Sequence, residues 1–216
     1  MAVEESQARY FRRINLPAHA DGFASKLTGT NPGILYQWCY SSLVVESTTN
    51  NPSNKLDMVA AREEDLDLVI GILDEAAEWL ESKGFPTRWH TAQLAGEKFL
   101  SQIRQNEVFL ARIGEETVGT LTLQWSDPVF WQGDSADAGY VHKFAVRRAY
   151  AGRRIGEAML QWAEGQASRA GKNYLRLDCL ANNKKIREYY ERAGFIHRGD
   201  TQPLGWRASL YEKTLE

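Results

Sequence analysis

The sequence predicts a mixed α/β fold, in which a central mixed β-sheet of about six to seven strands is flanked by helices. Hydrophobic residues make up 43% of the 216-residue chain, which is enough to bury the core of one domain. From Leu56 onward, strand-like and helix-like periodicities follow one another in the order β-α-α-β-β-β-α-β-α-β-β. Because strands and helices do not alternate regularly, the sheet is predicted to be mixed and not wholly parallel.

Residues 1–55 differ in composition from the rest and are predicted to form a loosely ordered N-terminal extension. The stretch 48–54 contains no apolar residue and is typical of a linker. No pattern in this part points to chemistry. The domain is therefore assigned to residues 56–216, and the role of the extension stays open.

The first half of the domain is predicted to contain a strand, two helices and a hairpin. Asp65 precedes apolar residues at spacings of three and four, the periodicity of an amphipathic helix that ends near Gly84. Gly114 lies between two β-prone runs and predicts a hairpin turn. The predicted elements are the strand 56–61, the helices 65–84 and 92–105, and the strands 107–113 and 117–125.

The second half is predicted to alternate strands and helices before ending in two short strands. Ile155, Met159 and Trp162 share one face of its first helix. The predicted elements are the strand 139–146, the helix 152–170, the strand 174–178, the helix 183–193, and the strands 195–198 and 206–213.

Composition excludes several classes of function. With a net charge of −2, the chain lacks the excess of basic residues that nucleic-acid binding needs. No apolar run approaches the ~20 residues of a membrane span. Two cysteines, Cys39 and Cys179, suit neither a disulfide framework nor a zinc site, so no metal is predicted and a cytoplasmic location is expected. Cys179 is expected to be a small apolar filler.

One segment carries a pattern with chemical meaning: the strand 140–146 enters a basic loop that opens a helix. The first turn of a helix leaves amide groups unpaired at the positive end of its dipole, where a diphosphate is bound favourably. Gly152 and Gly156 allow close approach of a ligand, and arginines at 147, 148, 153 and 154 add positive charge. A surface turn without a ligand has the same residues in many α/β proteins, and these residues alone do not name the ligand.

The loop resembles motif A of the GNAT superfamily of acetyl-CoA-dependent N-acetyltransferases, written Gln/Arg-x-x-Gly-x-Gly/Ala. Gly156 fits this pattern, whereas Ala151 replaces the Gln or Arg and Arg154 replaces the first Gly. Because arginine resists positive φ, we expect a looser backbone grip on the diphosphate, with the charge of Arg153 or Arg154 compensating.

A second stretch resembles motif B of the same superfamily. Asn183 stands seven residues before Tyr190, and Gly194-Phe195 begins four residues after that tyrosine. Two motifs in the right order are more specific than either alone. The resemblance covers about residues 56–213 and implies a GNAT-like fold.

The resemblance implies transfer of acetyl from acetyl-CoA to a primary amine, by direct attack in a ternary complex. It makes Tyr190 the general acid for the departing sulfur; the alternative is that Tyr190 only packs between helix and sheet, a role for which Tyr189 is the better candidate. Asn183 either contacts coenzyme A or caps its helix. The predicted cofactor-binding residues are Phe144, Ala145, Val146, Ala151, Gly152, Arg153, Arg154, Ile155, Gly156, Asn183 and Tyr190.

His142 is the candidate base, because histidine titrates near neutral pH and some family members carry a carboxylate at this strand position. A histidine that only bonds a neighbour is an equally good account of this residue. The weaker candidates for the base are Asp137, Asp178, Glu188 and water.

The acceptor side is poorly marked. The aromatic residues that are candidates to line an acceptor groove are Trp79, Trp89, His90, Trp125, Phe130 and Trp131. The carboxylates that are candidates to attract a cationic acceptor are those of Asp127, Asp134 and Asp137.

Alternatives to the amine acetyltransferase remain. One is a non-catalytic acyl-CoA-binding sensor, and another is a transferase that uses a different acyl-CoA donor. The acceptor is predicted to be either a small-molecule amine or a protein amine. A homodimer is possible.

Overall fold

The computed structural model describes residues 55–87, 89, 97–132 and 137–216, so the predicted extension lies, apart from Lys55, outside the described residues. Seven strands form one sheet in the order β1-β2-β3-β4-β5-β7-β6. They are β1 Leu56–Ala60, β2 Val108–Ile113, β3 Glu116–Gln124, β4 Ala138–Val146, β5 Tyr174–Leu180, β6 Ile196–Thr201 and β7 Ala208–Thr214. The β4–β5 pair is parallel and the other five neighbouring pairs are antiparallel, which confirms the predicted mixed sheet.

Four α-helices flank the sheet in the described part of the chain: α1 Leu66–Ser82, α2 Glu97–Arg104, α3 Ile155–Arg169 and α4 Lys184–Arg192. The order of strands and helices agrees with the prediction. Residues 92–96 of the second predicted helix lie outside the described residues. Helix α3 begins three residues later than predicted, because Gly152 and Arg154 take φ values of +81° and +59°, which no α-helix accommodates.

The sheet is buried on both faces. On one face, α3 and α4 pack through Met159 and Tyr190 onto Leu121, Val141 and Leu177. On the other face, α1 and α2 form a second cluster that includes Val69, Ile72, Phe99, Leu110 and Ala145. Since side chains of a strand alternate between faces, each strand contributes to both cores. None of the helices in the described ranges combines the length and apolar character needed to cross a bilayer.

Strands β4 and β5 part after four residue pairs. Their pairing runs from Ala138↔Tyr174 to Val141↔Leu177 and stops there. Beyond this point β4 stays paired with β3 as far as Val146, and β5 stays paired with β7 as far as Leu180. Because each strand is held by its other neighbour, a gap opens between residues 142–146 and 178–180.

A β-bulge lies at the start of this gap. Thr120 pairs with Ala145 and Thr122 with His142, so two residues of β4 lie opposite one residue of β3. One of the two, Lys143, has φ +46°. A bulge bends its strand and changes the direction of the neighbouring groups, here just where β4 leaves β5.

Candidate active site

The β4–α3 loop, residues 147–154, is tied to α1 by Glu75. The Glu75 carboxylate accepts a hydrogen bond from Nη1 of Arg147 at 3.1 Å and another from the amide of Arg148 at 2.6 Å. Arg147 also donates from Nε to the carbonyl of Thr117 at 3.0 Å. These contacts occupy Arg147 and fix the loop before it reaches α3. Nothing in the sequence marks Glu75 for this role.

The end of the loop presents free amide groups. Ala158 is the first residue of α3 whose amide bonds to a carbonyl, that of Arg154. Within the described residues, no protein group accepts from the amides of Gly152, Arg154, Ile155, Gly156 or Glu157. This is the arrangement of donors that a diphosphate binds at a helix N-terminus.

The expectation that Arg154 resists positive φ is wrong, because Arg154 adopts the left-handed conformation itself, at φ +59° and ψ +16°. A non-glycine residue costs ~1–2 kcal/mol there. Its side chain is 81% exposed and pairs with Glu157 at 2.7 Å, so it folds back on the helix. The loop therefore takes the turn for which the motif uses glycine.

The other arginines of the loop lie on aromatic rings. Arg148 is 4.0 Å from the centre of the Trp79 ring, and Arg153 is 5.0 Å from that of Tyr150. Trp79 thus lies at the β4–α3 loop. Arg153 and Arg154 line a cavity of about 500 Å³ beside β1 and the β2–β3 turn. No residue of β4, β5 or α4 lines it, so this cavity is separate from the gap between the strands.

Gly156 is needed for close packing between α3 and α4. A Cβ at this position would lie 2.6 Å from the hydroxyl of Tyr189 and 3.2 Å from Cζ of Phe144. The absence of a side chain therefore lets Tyr189 lie against the first turn of α3, as expected for the packing tyrosine of the pair. At the start of α4, the Oδ1 atom of Asn183 accepts the amide of Ile186 at 3.3 Å, which makes Asn183 the helix cap.

Tyr190 faces the α3–α4 side of the sheet and is 6% exposed. Its ring contacts those of Tyr189, Phe195 and Tyr211. Its hydroxyl bonds to no described residue. Burial raises the pKa of Tyr190 well above 10, with the charges of Cys179, Tyr189 and Asp178 adding to it, so the phenol keeps its proton. A hydroxyl without a protein partner is available to a ligand.

Three groups meet on the other face of the sheet, beside the gap. His142 approaches Asp127 through Nε2, at 3.8 Å, and Asp178 through Nδ1, at 4.0 Å. Asp178 is on the face opposite to Leu177 and Cys179, both of which belong to the α3–α4 core. His142 shares its face with Ala145, which belongs to the α1–α2 core. The two carboxylates thus face different ring nitrogens, at distances longer than a hydrogen bond.

Burial shifts the pKa values of this cluster in opposite directions. Loss of solvation, with a smaller effect of Lys143, lowers the pKa of His142 to about 4. Loss of solvation, with the charge of Asp127, raises the pKa of Asp178 to about 7. At neutral pH His142 is therefore uncharged, and Asp178 is the group of the cluster that can hold a proton.

The remaining candidates are dispersed. Asp137 accepts a hydrogen bond from Asn173 at 2.8 Å, and Glu188 pairs with Lys184 at 3.6 Å on the exposed side of α4, so neither joins His142. Trp125 is 41% exposed and lies under Lys172, at 5.8 Å.

The other aromatic candidates have different outcomes. Trp89 packs against the α1–α2 core. Phe130 and Trp131 belong to the turn that carries Asp127. His90 and Asp134 lie outside the described residues.

A model of the acetyltransferase (GNAT) family matches residues 73–195, which include the β4–α3 loop, the gap and Tyr190. The uncharacterized N-acetyltransferase YesJ of Bacillus subtilis (strain 168) is 31% identical over 145 residues, covering 63% of this chain and 79% of YesJ.

Solved structures share the fold. A GNAT-family acetyltransferase from Listeria monocytogenes 4b F2365 superposes with a TM-score of 0.62 at 23% identity, covering 75% of this chain and 96% of that one. The PaiA N-acetyltransferase from Thermoplasma acidophilum, solved with coenzyme A, has a TM-score of 0.61 at 18% identity, covering 74% and 99%.

Proposed function

The chain belongs to the acetyltransferase (GNAT) family, and on this premise we propose that it transfers the acetyl group of acetyl-CoA to a primary amine by direct attack in a ternary complex. As a member of that family it is an acyltransferase with acetyl-CoA as its co-substrate. The observation that carries the proposal is the gap between β4 and β5, which has Tyr190 on one face of the sheet and the His142 cluster on the other.

In this proposal the cofactor lies along the α3–α4 side. Its diphosphate accepts the free amides between Gly152 and Gly156, where the dipole of α3 adds to the attraction. Its pantetheine arm runs along Phe144, Ala145 and Val146, whose backbone groups on the β5 side have no partner in β5. Both placements bring the thioester into the gap. Asn183 contributes by holding the start of α4.

The proposed reaction uses both faces of the sheet. On the α1–α2 face, the ammonium form of the acceptor gives one proton to the Asp178 carboxylate. The freed nitrogen lone pair then forms the N–C bond to the thioester carbon, and the C–S bond breaks. Tyr190 donates its proton to the sulfur, and the second proton lost from nitrogen restores the phenol. Asp178 releases its proton to solvent, so one proton is released for each acetyl group transferred.

His142 was the base predicted from the sequence, but in the proposed mechanism Asp178 takes the proton and His142 lies uncharged beside it, with 4.0 Å between Nδ1 and the carboxylate. A histidine with a pKa near 4 cannot take a proton from an ammonium whose pKa is near ~10, whereas a carboxylate with a pKa near 7 is better matched.

A covalent acetyl-cysteine intermediate is not part of the proposal. Cys179 is the free cysteine among the described residues, and burial raises its pKa to about 12. The thiolate form that would attack a thioester is therefore scarce at neutral pH. This supports direct attack by the amine.

Two alternatives from the sequence remain, namely a non-catalytic acyl-CoA sensor and a transferase with another acyl donor. The decisive experiment measures thiol release from acetyl-CoA with a panel of amines, alongside calorimetric titration with acetyl-CoA, CoA and a longer acyl-CoA. Amine-dependent thiol release supports the proposal. Tight acetyl-CoA binding without release supports the sensor, and tighter binding and faster turnover of the longer thioester support another donor.

A cytoplasmic location and a homodimer stay predictions from the sequence. Size-exclusion chromatography with light scattering tests the second.

A further inference from the structure

We propose that the acceptor is a monocationic primary amine carried on an apolar body, either aliphatic or aromatic. This inference rests on the proposed function, since it concerns the acceptor side of the same gap. It joins two neighbouring features: a buried acidic pair at the gap and an aromatic rim formed by two loops.

The acidic pair favours an acceptor that arrives charged. The side chains of Asp127 and Asp178 are 7% and 13% exposed and lie on either side of His142, which is uncharged at neutral pH. Two cations are close in sequence to this cluster, and both are engaged elsewhere. Lys143 donates to Gln102 at 3.1 Å and lies over the Phe99 ring, and Arg176 pairs with Glu212 at 2.8 Å. An ammonium ion therefore meets negative charge in a poorly solvated place, where attraction is strongest.

Two buried polar atoms beside the pair lack a protein partner. Thr122 is fully buried and lies directly opposite His142 on β3, and its hydroxyl makes no hydrogen bond. The indole N–H of Trp131 is also buried and unbonded; its ring contacts that of Tyr140, and the Arg176 guanidinium lies over it, 4.7 Å from the ring centre. Buried polar groups are normally satisfied, so the Thr122 hydroxyl, which can accept a hydrogen bond from an ammonium, marks a place for the ligand head. The indole N–H of Trp131 only donates and does not bind the ammonium.

The rim next to this place is apolar. The carboxylate of Asp127 accepts the amide of Phe130 at 3.3 Å, so the turn that supplies the charge also supplies an aromatic ring. That ring packs on Trp206 of the β6–β7 loop, with 5.5 Å between centres. Val129 and Leu204, which neighbour these rings in sequence, are 44% and 48% exposed. The surface next to the acidic pair is therefore apolar.

One acidic pair followed by an apolar rim distinguishes a monoamine from a polyamine. The carboxylates of Asp137 and Asp200 are already engaged, the first by Asn173 and the second by His197, Ser209 and Arg207. A second ammonium at the far end of the acceptor would lie against Phe130 and Trp206. That placement removes its hydration without supplying a counter-charge.

The test measures thiol release by the full chain with acetyl-CoA and a matched series of amines at pH 7.5. For straight-chain monoamines from propylamine to hexylamine, kcat/KM rises about two- to fourfold for each added methylene. The kcat/KM for hexylamine exceeds that for 1,6-diaminohexane by at least about tenfold, and the kcat/KM for benzylamine exceeds that for the uncharged aniline by a similar factor. A serine-initiated hexapeptide is included as a model of a protein amino terminus.

Two variants assign these preferences to residues. Asp127→Asn keeps the oxygen that accepts the Phe130 amide, and it raises KM for hexylamine at least about tenfold while the acetyl-CoA affinity and the melting temperature stay unchanged. Trp206→Ala flattens the dependence on chain length. The matched controls are Asp57→Asn, a 65% exposed carboxylate on β1, and Ile196→Ala, a 56% exposed side chain on β6; both leave the series unchanged.

The outcomes separate the two proposals. Faster turnover of the diamine, aniline or the peptide than of hexylamine overturns the inference, as does a series without chain-length dependence; acetyl transfer itself then still stands. Absence of thiol release with every amine overturns the proposed function. If either variant fails to fold, the wild-type series decides the matter alone.

Discussion

Replacement of Tyr190 by phenylalanine separates a catalytic role from a packing role. The ring is almost completely buried against Tyr189, Phe195 and Tyr211, and Tyr190→Phe keeps all of these contacts. Only the hydroxyl is lost, and it bonds to no described residue. The free energy of unfolding is therefore expected to change by less than about 1 kcal/mol, which shifts the melting temperature of a domain of this size by less than about 4 °C.

Turnover responds differently if Tyr190 donates to the departing sulfur. Removal of a positioned proton donor lowers kcat about 10²- to 10³-fold, which corresponds to roughly 3–4 kcal/mol of transition-state stabilisation. The calorimetric affinity for acetyl-CoA stays within about threefold of wild type, because the diphosphate and pantetheine contacts lie elsewhere. Thiol release gives kcat, and thermal denaturation gives the stability of the same preparation.

Tyr211→Phe is the matched control. The Tyr211 ring lies 5.9 Å from that of Tyr190, but its hydroxyl accepts from Arg187 at 3.1 Å and donates to Glu191 at 2.9 Å. Its loss costs about 1–3 kcal/mol of stability and leaves kcat near wild type. The reasoning is refuted if Tyr190→Phe keeps wild-type kcat, or if it loses as much stability as Tyr211→Phe.

Three further predictions concern the loop and the cluster. Gly156→Ala lowers the melting temperature, because the added Cβ clashes with the Tyr189 hydroxyl. Adding Tyr189→Phe recovers at least half of that loss in thermal denaturation. A double variant with no recovery contradicts this contact. Arg154→Gly is more stable than Arg154→Ala by about 1 kcal/mol in urea unfolding, since both remove the ion pair and only glycine relieves the left-handed strain. Between pH 4 and 6.5, the raised pKa of Asp178 makes the free energy of unfolding fall as pH rises, and the lowered pKa of His142 makes it rise. Relative to wild type, Asp178→Asn therefore gains stability with increasing pH and His142→Gln loses it, by up to about 1.4 kcal/mol per pH unit. Variant profiles parallel to that of wild type refute this prediction.

The sequence predicted the order of the elements because most are long and strongly periodic. The apolar spacing from Leu66 to Leu80 admits only a helix, and Gly114 marks a hairpin without help from the rest of the chain. The family was predicted from the resemblance to two motifs, and the residues of the second, Asn183, Tyr190 and Gly194-Phe195, lie within one helix and its exit.

The sequence could not predict what depends on tertiary contact. Arg154 takes a left-handed turn that its own preference opposes, because the loop before it is held by Glu75 from another helix. Asp178 was ranked below His142, because local sequence gives neither the burial nor the neighbouring charge that separate their pKa values. The position of Thr122 opposite His142 follows from a register that the bulge at Lys143 sets.

The gap between β4 and β5 explains why the proposed site lies where it does. An unpaired backbone group in a protein interior costs about 1–3 kcal/mol, so a sheet opens only where other strands hold both partners in place. Here β3 holds β4 through Val146 and β7 holds β5 through Leu180, and the bulge at Lys143 lets β4 diverge without losing β3. In the proposed mechanism, the opening lets an amine from the face of Asp178 attack a thioester bound from the face of Tyr190. The unpaired backbone groups at the gap cost free energy that a bound cofactor offsets when it forms hydrogen bonds with them. For this reason we propose that acyl transfer takes place within the sheet and not in a surface cleft.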